Sequence, residues 1–177
     1  MKSPPFSYIR AESLEQAFDL IDQYGEEARI LAGGQSLMAT LNMRLSTPKI
    51  LIDINKIGGM DQIKLDNDKI VVGALARHTK VANSSDIKKY APLVSKALPH
   101  IAHQAIRNRG TFGGSIAFAD PAAELPAVSL ALEASFVLQS RNGIRTLPAK
   151  DFFLGLFDTA LKKDEIQLFV NSSSSGE

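Results

Sequence analysis

The sequence predicts an α+β protein of two subdomains, a small N-terminal α/β unit over residues 1–57 and a second unit with antiparallel strands and helices over residues 58–170. Two patterns carry the prediction. Through the first part, helix-spaced and strand-like apolar runs alternate, as they do where parallel strands are joined by helices. After Gly58-Gly59, short apolar runs flank polar turns, the pattern of hairpins. At 177 residues, 45% hydrophobic and 22% charged, the chain has ordinary globular composition and enough apolar content for one core or two small ones.

Taken in order, residues 13–24 form the first helix. Leu14, Ala17, Phe18 and Ile21 recur at helical spacing, Ser13 and Gln16 suit a capping box, and Gly25 supplies the stop. Residues 28–31 read as a short buried strand that breaks at Gly33-Gly34, and residues 36–45 as a second helix ending before Pro48. Residues 50–54 are apolar and β-branched but too few for a helix, so they read as another strand. Beyond Gly58, residues 63–65 and 70–72 flank Asp66-Asn67-Asp68 as a first hairpin. Residues 136–140 and 144–147 flank Asn142-Gly143 as a second, with the composition of a type I′ turn. Helices are expected near residues 92–98 and 125–132, and the serine-rich stretch 171–177 is expected to be a disordered tail.

Several function classes are set aside by composition. Twenty Lys and Arg against 19 Asp and Glu leave a formal charge of +1, too little field to grip a polyanion, so nucleic acid is a poor partner. With no cysteine, the chain can hold neither a disulfide, nor a thiolate zinc site, nor an iron–sulfur cluster of its own. The N-terminus has no apolar leader run and no segment approaches the ~20 apolar residues that span a bilayer, so a cytoplasmic protein without membrane insertion is expected. His100 and His103 stand three apart but lack companion ligands, and no Gly-x-Ser-x-Gly elbow occurs. Neither a metal site nor a serine nucleophile is assigned, and no residue is assigned catalytic proton transfer.

Three segments are suited to binding. Ala32-Gly33-Gly34-Gln35-Ser36 lies between a strand and a helix, where adjacent glycines permit a sharp turn and close approach, and free backbone N–H groups can meet an anion such as a pyrophosphate. On this motif alone, a turn without a ligand is as good a reading. Arg107-Asn108-Arg109-Gly110-Thr111-Phe112-Gly113-Gly114-Ser115 repeats the same chemistry, and two such loops brought together could hold the ends of one extended dinucleotide. Arg107 and Arg109 either meet phosphate or a partner's carboxylates, or cap a helix end. Asp120-Pro121 reads as an N-cap and first helical position. Asp120 and Glu124 are also acceptor-only groups suited to sugar hydroxyls.

In order along the chain, these motifs join Phe6-Ser7-Tyr8, Asn42-Met43-Arg44-Leu45, the strand ending at Asp53, Ala74-Leu75-Ala76-Arg77-His78, the run from Ile106 to Ser115, the run from Asp120 to Pro126, and Asp151-Phe152-Phe153. Together, over about residues 4–166, they closely resemble the FAD-carrying medium subunit of molybdenum hydroxylases of the xanthine dehydrogenase and carbon monoxide dehydrogenase type. The resemblance implies FAD held between the two subdomains. Ala32, Gly33, Gly34, Gln35, Ser36 and Leu37 would lie at the pyrophosphate, Thr111, Gly114 and Ser115 along the second wall, and Asp120 and Glu124 at the sugar and ribityl hydroxyls. It also implies two partners, a large subunit with the molybdenum cofactor and a small iron–sulfur subunit, with FAD passing electrons to an external acceptor. Ala76 stands where the family pattern has a hydroxyl residue. The chain also departs after Ile166, where the family continues into another strand and a C-terminal domain expected to be absent here. The alternative function is therefore a shortened remnant or assembly module that keeps the fold and binds FAD weakly or not at all.

Overall fold

The computed structural model describes residues 2–67 and 69–173, the side chain of Ser173 excepted. Its first elements are β1 (Ser7–Arg10), α1 (Leu14–Tyr24), β2 (Ala28–Leu31), α2 (Leu37–Asn42) and β3 (Ile50–Asp53). The three strands form one sheet in the order β1-β3-β2, both pairings parallel, with Leu51 of the central strand opposite Tyr8 and Arg29. All four residues of β3 are buried because strands cover both its edges and α1 packs on the sheet. Helix α1 starts as its sequence requires: the Gln16 amide donates to Ser13 Oγ at 3.2 Å, while the Gln16 side chain accepts from Glu12 N–H at 2.8 Å. Gly25 ends it at φ 50°, with its N–H on the Ile21 carbonyl.

A second sheet, of five strands, follows. The chain forms the hairpin β4 (Ile63–Asp66) and β5 (Lys69–Gly73), then the helices α3 (His78–Asn83), α4 (Ser85–Tyr90), α5 (Pro92–Ala97), α6 (Gln104–Arg109), α7 (Phe112–Phe118) and α8 (Glu124–Ala131). The hairpin β6 (Ser135–Ser140) and β7 (Gly143–Pro148), the short α9 (Ala149–Phe152), the small ribbon β8 (Phe153–Gly155) and β9 (Asp158–Thr159), and finally β10 (Ile166–Ser173) complete it. Strand order is β4-β5-β10-β6-β7, with every pairing antiparallel. Phe136, Phe152 and Phe153 meet edge to face in its core, the Phe136 and Phe152 ring centroids 4.6 Å apart. The other core lies under the parallel sheet and also takes in Met60, Ala74, Leu75, Ile166 and Leu168. The two sheets are thus joined by shared apolar contacts. No helix among the described residues is long and apolar enough to cross a membrane.

Four local expectations are corrected. Asn171, Ser172 and Ser173, expected in a disordered tail, belong to β10 and pair with β5; residues 174–177 lie outside the described residues. The serine-rich end is held because β5 pairs with all three residues and β6 also reaches Asn171, a condition that composition does not report. The second hairpin turns through Arg141-Asn142, with Ser140 opposite Gly143; of the two expected turn residues only Gly143 has positive φ, so the turn is not type I′. Helix α8 begins at Glu124 with Ala123 as its N-cap, so Asp120 is not the cap: its carboxylate accepts from the Ala122 amide at 2.9 Å in an Asx turn. Helix α2 is also shorter than the expected 36–45, since Arg44 turns to φ 59° after it. Of the Asp66-Asn67-Asp68 turn, Asn67 has φ 45° and Asp68 lies outside the described residues.

A candidate cofactor site at two glycine loops

The loop over residues 32–36 leaves β2 and enters α2; the loop over residues 109–111 leaves α6 and enters α7, whose first turn carries Gly113 and Gly114. They meet backbone to backbone. A Cβ built on Gly33 would stand 2.6 Å from the Arg109 carbonyl oxygen, 2.9 Å from Gly110 Cα and 3.0 Å from Thr111 N, so only glycine permits this approach. A Cβ on Gly114 would lie 2.5 Å from Thr111 Oγ1 and 3.9 Å from Ala32 Cβ. Gly34, at φ 72°, bends the first loop into α2, and the Gln35 side chain braces it by donating to the Gly33 carbonyl at 3.0 Å.

The polar groups left over at this contact include a set of donors. Among the hydrogen bonds between described residues, none is donated by the backbone N–H of Gly33, Gly34, Gln35, Ser36, Thr111 or Gly114. Thr111 is 2% exposed and its hydroxyl has no partner among the described residues. Of these groups only Thr111 is buried, where an unpaired hydroxyl is costly, and with the free amides around the glycine contact it calls for an acceptor-rich ligand. Helix α2 has six residues and α7 seven, so directed amides rather than a long helix dipole would supply the binding. The donor set therefore fits the diphosphate of a dinucleotide.

The other predicted residues divide. Leu37 is the first residue of α2, and Ser115 lies in α7 with its amide on the Thr111 carbonyl at 3.1 Å; both are half-buried. Ser36 is exposed. Asp120 and Glu124 follow α7, Glu124 as the first residue of α8, so both stand beyond the end of α7 opposite Thr111, a helix about 10 Å long at 1.5 Å per residue. The Glu124 carboxylate accepts no hydrogen bond among the described residues. Arg107 is a structural cap, donating to the carbonyls of Ile101 at 2.9 Å and Ala102 at 2.7 Å; the Arg109 side chain makes no hydrogen bond among the described residues. Ala76 is fully buried.

Sequence reasoning missed the polar chain behind the loops. Tyr8 hydroxyl donates to Asp53; Asn55 donates from its backbone to Asp53 Oδ1 at 2.8 Å and from Nδ2 to the same oxygen at 2.6 Å and to the Ala32 carbonyl at 2.7 Å. Arg77 donates to Asn55 Oδ1 at 2.6 Å and to the Arg109 carbonyl. Burial raises the Asp53 pKa, but the Tyr8 hydroxyl and the two Asn55 donors outweigh it and hold the carboxyl below its ordinary range. Next in sequence to Arg77 and packed against Gly110, His78 is 4% exposed and burial, helped by Arg77 and Arg107, lowers its pKa to about 4, so it is neutral at pH 7. The signal in the sequence was Asp53-Ile54-Asn55, two polar residues closing a wholly apolar strand. A cavity of about 280 Å³ borders Asn55 and Arg77, with Lys56, Asp61 and Lys80 also on its wall, and contains none of the predicted site residues.

Residues 4–171 match the family described as the FAD binding domain in molybdopterin dehydrogenase. The chain is 45% identical over 171 residues to the 6-hydroxypseudooxynicotine dehydrogenase complex subunit alpha of Paenarthrobacter nicotinovorans, covering 97% of this chain and 58% of that one. It is 39% identical to the carbon monoxide dehydrogenase medium chain of Hydrogenophaga pseudoflava, covering 96% and 59%. Among solved structures, it resembles carbon monoxide dehydrogenase from Hydrogenophaga pseudoflava with a TM-score of 0.97 at 38% identity, over 99% of this chain and 61% of that one. It likewise resembles quinoline 2-oxidoreductase from Pseudomonas putida 86 with a TM-score of 0.96 at 36% identity, over 99% and 61%. The chain thus spans a little under two thirds of these relatives.

Proposed function

This chain belongs to the family of FAD binding domains in molybdopterin dehydrogenases, and from that premise we propose that it holds FAD across its paired glycine loops as the flavin subunit of a molybdenum hydroxylase. The observation that carries the reading is the contact of residues 32–36 with residues 109–114, where amides and the Thr111 hydroxyl are left without protein acceptors. In this reading the amides of Gly33, Gly34, Gln35, Ser36 and Gly114, with Thr111, bind the diphosphate, and Ser115 and Leu37 line the same wall. Asp120 and Glu124 accept from sugar and ribityl hydroxyls. Residues 1–57 supply one wall of the site and residues 58–170 the other.

Bound FAD supplies a carrier that takes electrons from one-electron donors and delivers them to an acceptor. Residues of this chain bind and orient it; none is assigned proton transfer, and the neutral His78 is buried against Gly110. In this reading the electron donor is an iron–sulfur cluster of a small partner subunit and substrate oxidation occurs on a large molybdenum-cofactor subunit, a division of labour that agrees with a chain without cysteine, which can hold no such cluster itself. The names of the relatives support such a heteromeric assembly, since one is a complex subunit and another a medium chain.

Titration of the purified chain with FAD, followed by quenching of flavin fluorescence and by the visible flavin spectrum, tests this directly. Saturable binding that ADP competes away supports a site reading the diphosphate. No binding, with a folded chain by circular dichroism, would overturn the proposal.

A further inference from the structure

We propose that Asn55 and Arg77 are positioning residues of the cofactor site, a clamp that aims the glycine-loop amides without touching the cofactor, an inference that rests on the FAD reading above. Each glycine loop offers one carbonyl to the clamp: Ala32, just before Gly33, accepts from Asn55 Nδ2 at 2.7 Å, and Arg109, just before Gly110-Thr111, accepts from Arg77. The two side chains are themselves joined, Arg77 to Asn55 Oδ1 at 2.6 Å.

Pinning a carbonyl fixes the peptide plane that contains it. The Ala32 carbonyl and the Gly33 N–H belong to one trans peptide and point in opposite directions, so holding the oxygen against Asn55 turns the Gly33 N–H away from it. Gly33 needs such a restraint more than other residues, because without a Cβ its backbone has the widest choice of conformation. On the second loop, the Gly110 N–H is already held by the Ile106 carbonyl at 2.7 Å, and Arg77 holds the preceding carbonyl. Both sides of the site are therefore set by one pair of side chains.

The pair is polarised by its neighbours. Asn55 turns its oxygen to the Arg77 cation and its NH2 toward Asp53 Oδ1, at 2.6 Å, an orientation the two charges favour together. Asp53 is in turn tied to β1 through the Tyr8 hydroxyl. The clamp thus connects β1, β3, both glycine loops and the start of α3. Arginine is required because one planar group must reach two acceptors; lysine can serve as a single point donor. The cavity beside the pair leaves room for a shorter side chain without a forced repacking.

Arg77→Met, Arg77→Lys and Asn55→Leu in the full chain test the clamp by amide hydrogen exchange without FAD and by FAD titration. Faster exchange at the hydrogen-bonded loop amides of Gly110, Phe112 and Gly113, with β5 and β10 unchanged, is expected. The FAD dissociation constant is expected to rise about ten- to a hundredfold, the range for losing a hydrogen bond to a charged group. Arg77→Lys, keeping the charge and one donor, should recover part of that loss, and it carries the comparison if Arg77→Met does not fold. Unchanged loop exchange and unchanged FAD affinity would overturn the inference, as would an equal loss of protection across β5 and β10, which would make the pair a general stabiliser. If the wild-type chain binds no FAD, the functional reading fails and with it this inference, whereas wild-type binding with unaffected variants sinks the clamp alone.

Discussion

Replacing Thr111 by valine should move stability and cofactor affinity in opposite directions. Thr111 is 2% exposed, its hydroxyl has no hydrogen-bond partner among the described residues, and a Cβ on Gly114 would lie 2.5 Å from that oxygen. A buried polar group left unpaired costs about 1–3 kcal/mol, and a methyl in its place keeps nearly the same shape. Taking the lower end of that range, the apo chain should gain about 1 kcal/mol, which raises Tm by about 2–4 °C in a chain of this size. If the hydroxyl donates to a phosphate oxygen when FAD is bound, its removal costs about 1.5–3 kcal/mol of binding, roughly ten- to a hundredfold in Kd. Calorimetric melting of the apo variant and flavin-fluorescence titration measure both halves. A variant that melts below wild type yet binds FAD equally well would refute the reasoning, because the hydroxyl would then be serving the fold and not a ligand.

Two further outcomes follow from the same geometry. Gly33→Ala should lower stability by about 1–3 kcal/mol, the usual cost of overpacking, and weaken FAD binding, because the new methyl meets backbone 2.6 Å away; Gly58→Ala, with nothing within 4 Å, is the control expected to change neither. Equal urea midpoints for the two variants would contradict the close contact of the loops. Between pH 6.5 and 4 the unfolded chain takes up a proton at His78 that the folded chain, with its pKa lowered to about 4, does not, so stability falls as the pH falls through that window. The drop attributable to this group is about 3 kcal/mol. Urea midpoints at pH 7 and 4.5 should differ less in His78→Gln than in wild type, and an identical difference would contradict the assignment.

Much of the site was legible because it is written locally. A glycine pair between an apolar strand and a helix can be recognised without knowing the fold, since the turn it makes depends on its own backbone freedom. The two loops were therefore found, as were α1 with its cap, β2 and β3. The Asn142-Gly143 turn and the Asp120 cap were misread for the converse reason: each pattern suits several local geometries, and the surrounding chain selected Arg141-Asn142 as the turn and Ala123 as the cap.

The residues by themselves determined that two glycine loops and two acceptor-only carboxylates exist, and in what order, because those properties belong to single side chains and short backbone stretches. Only the tertiary structure decided that Gly33 touches the backbone of residues 109–111, that Asn55 and Arg77 tie the loops together, and that residues 166–173 form the central strand of the larger sheet. Each of these depends on partners far apart in sequence, and the hydrogen bonds and apolar contacts that satisfy such a residue exist only after the chain has brought the partners together.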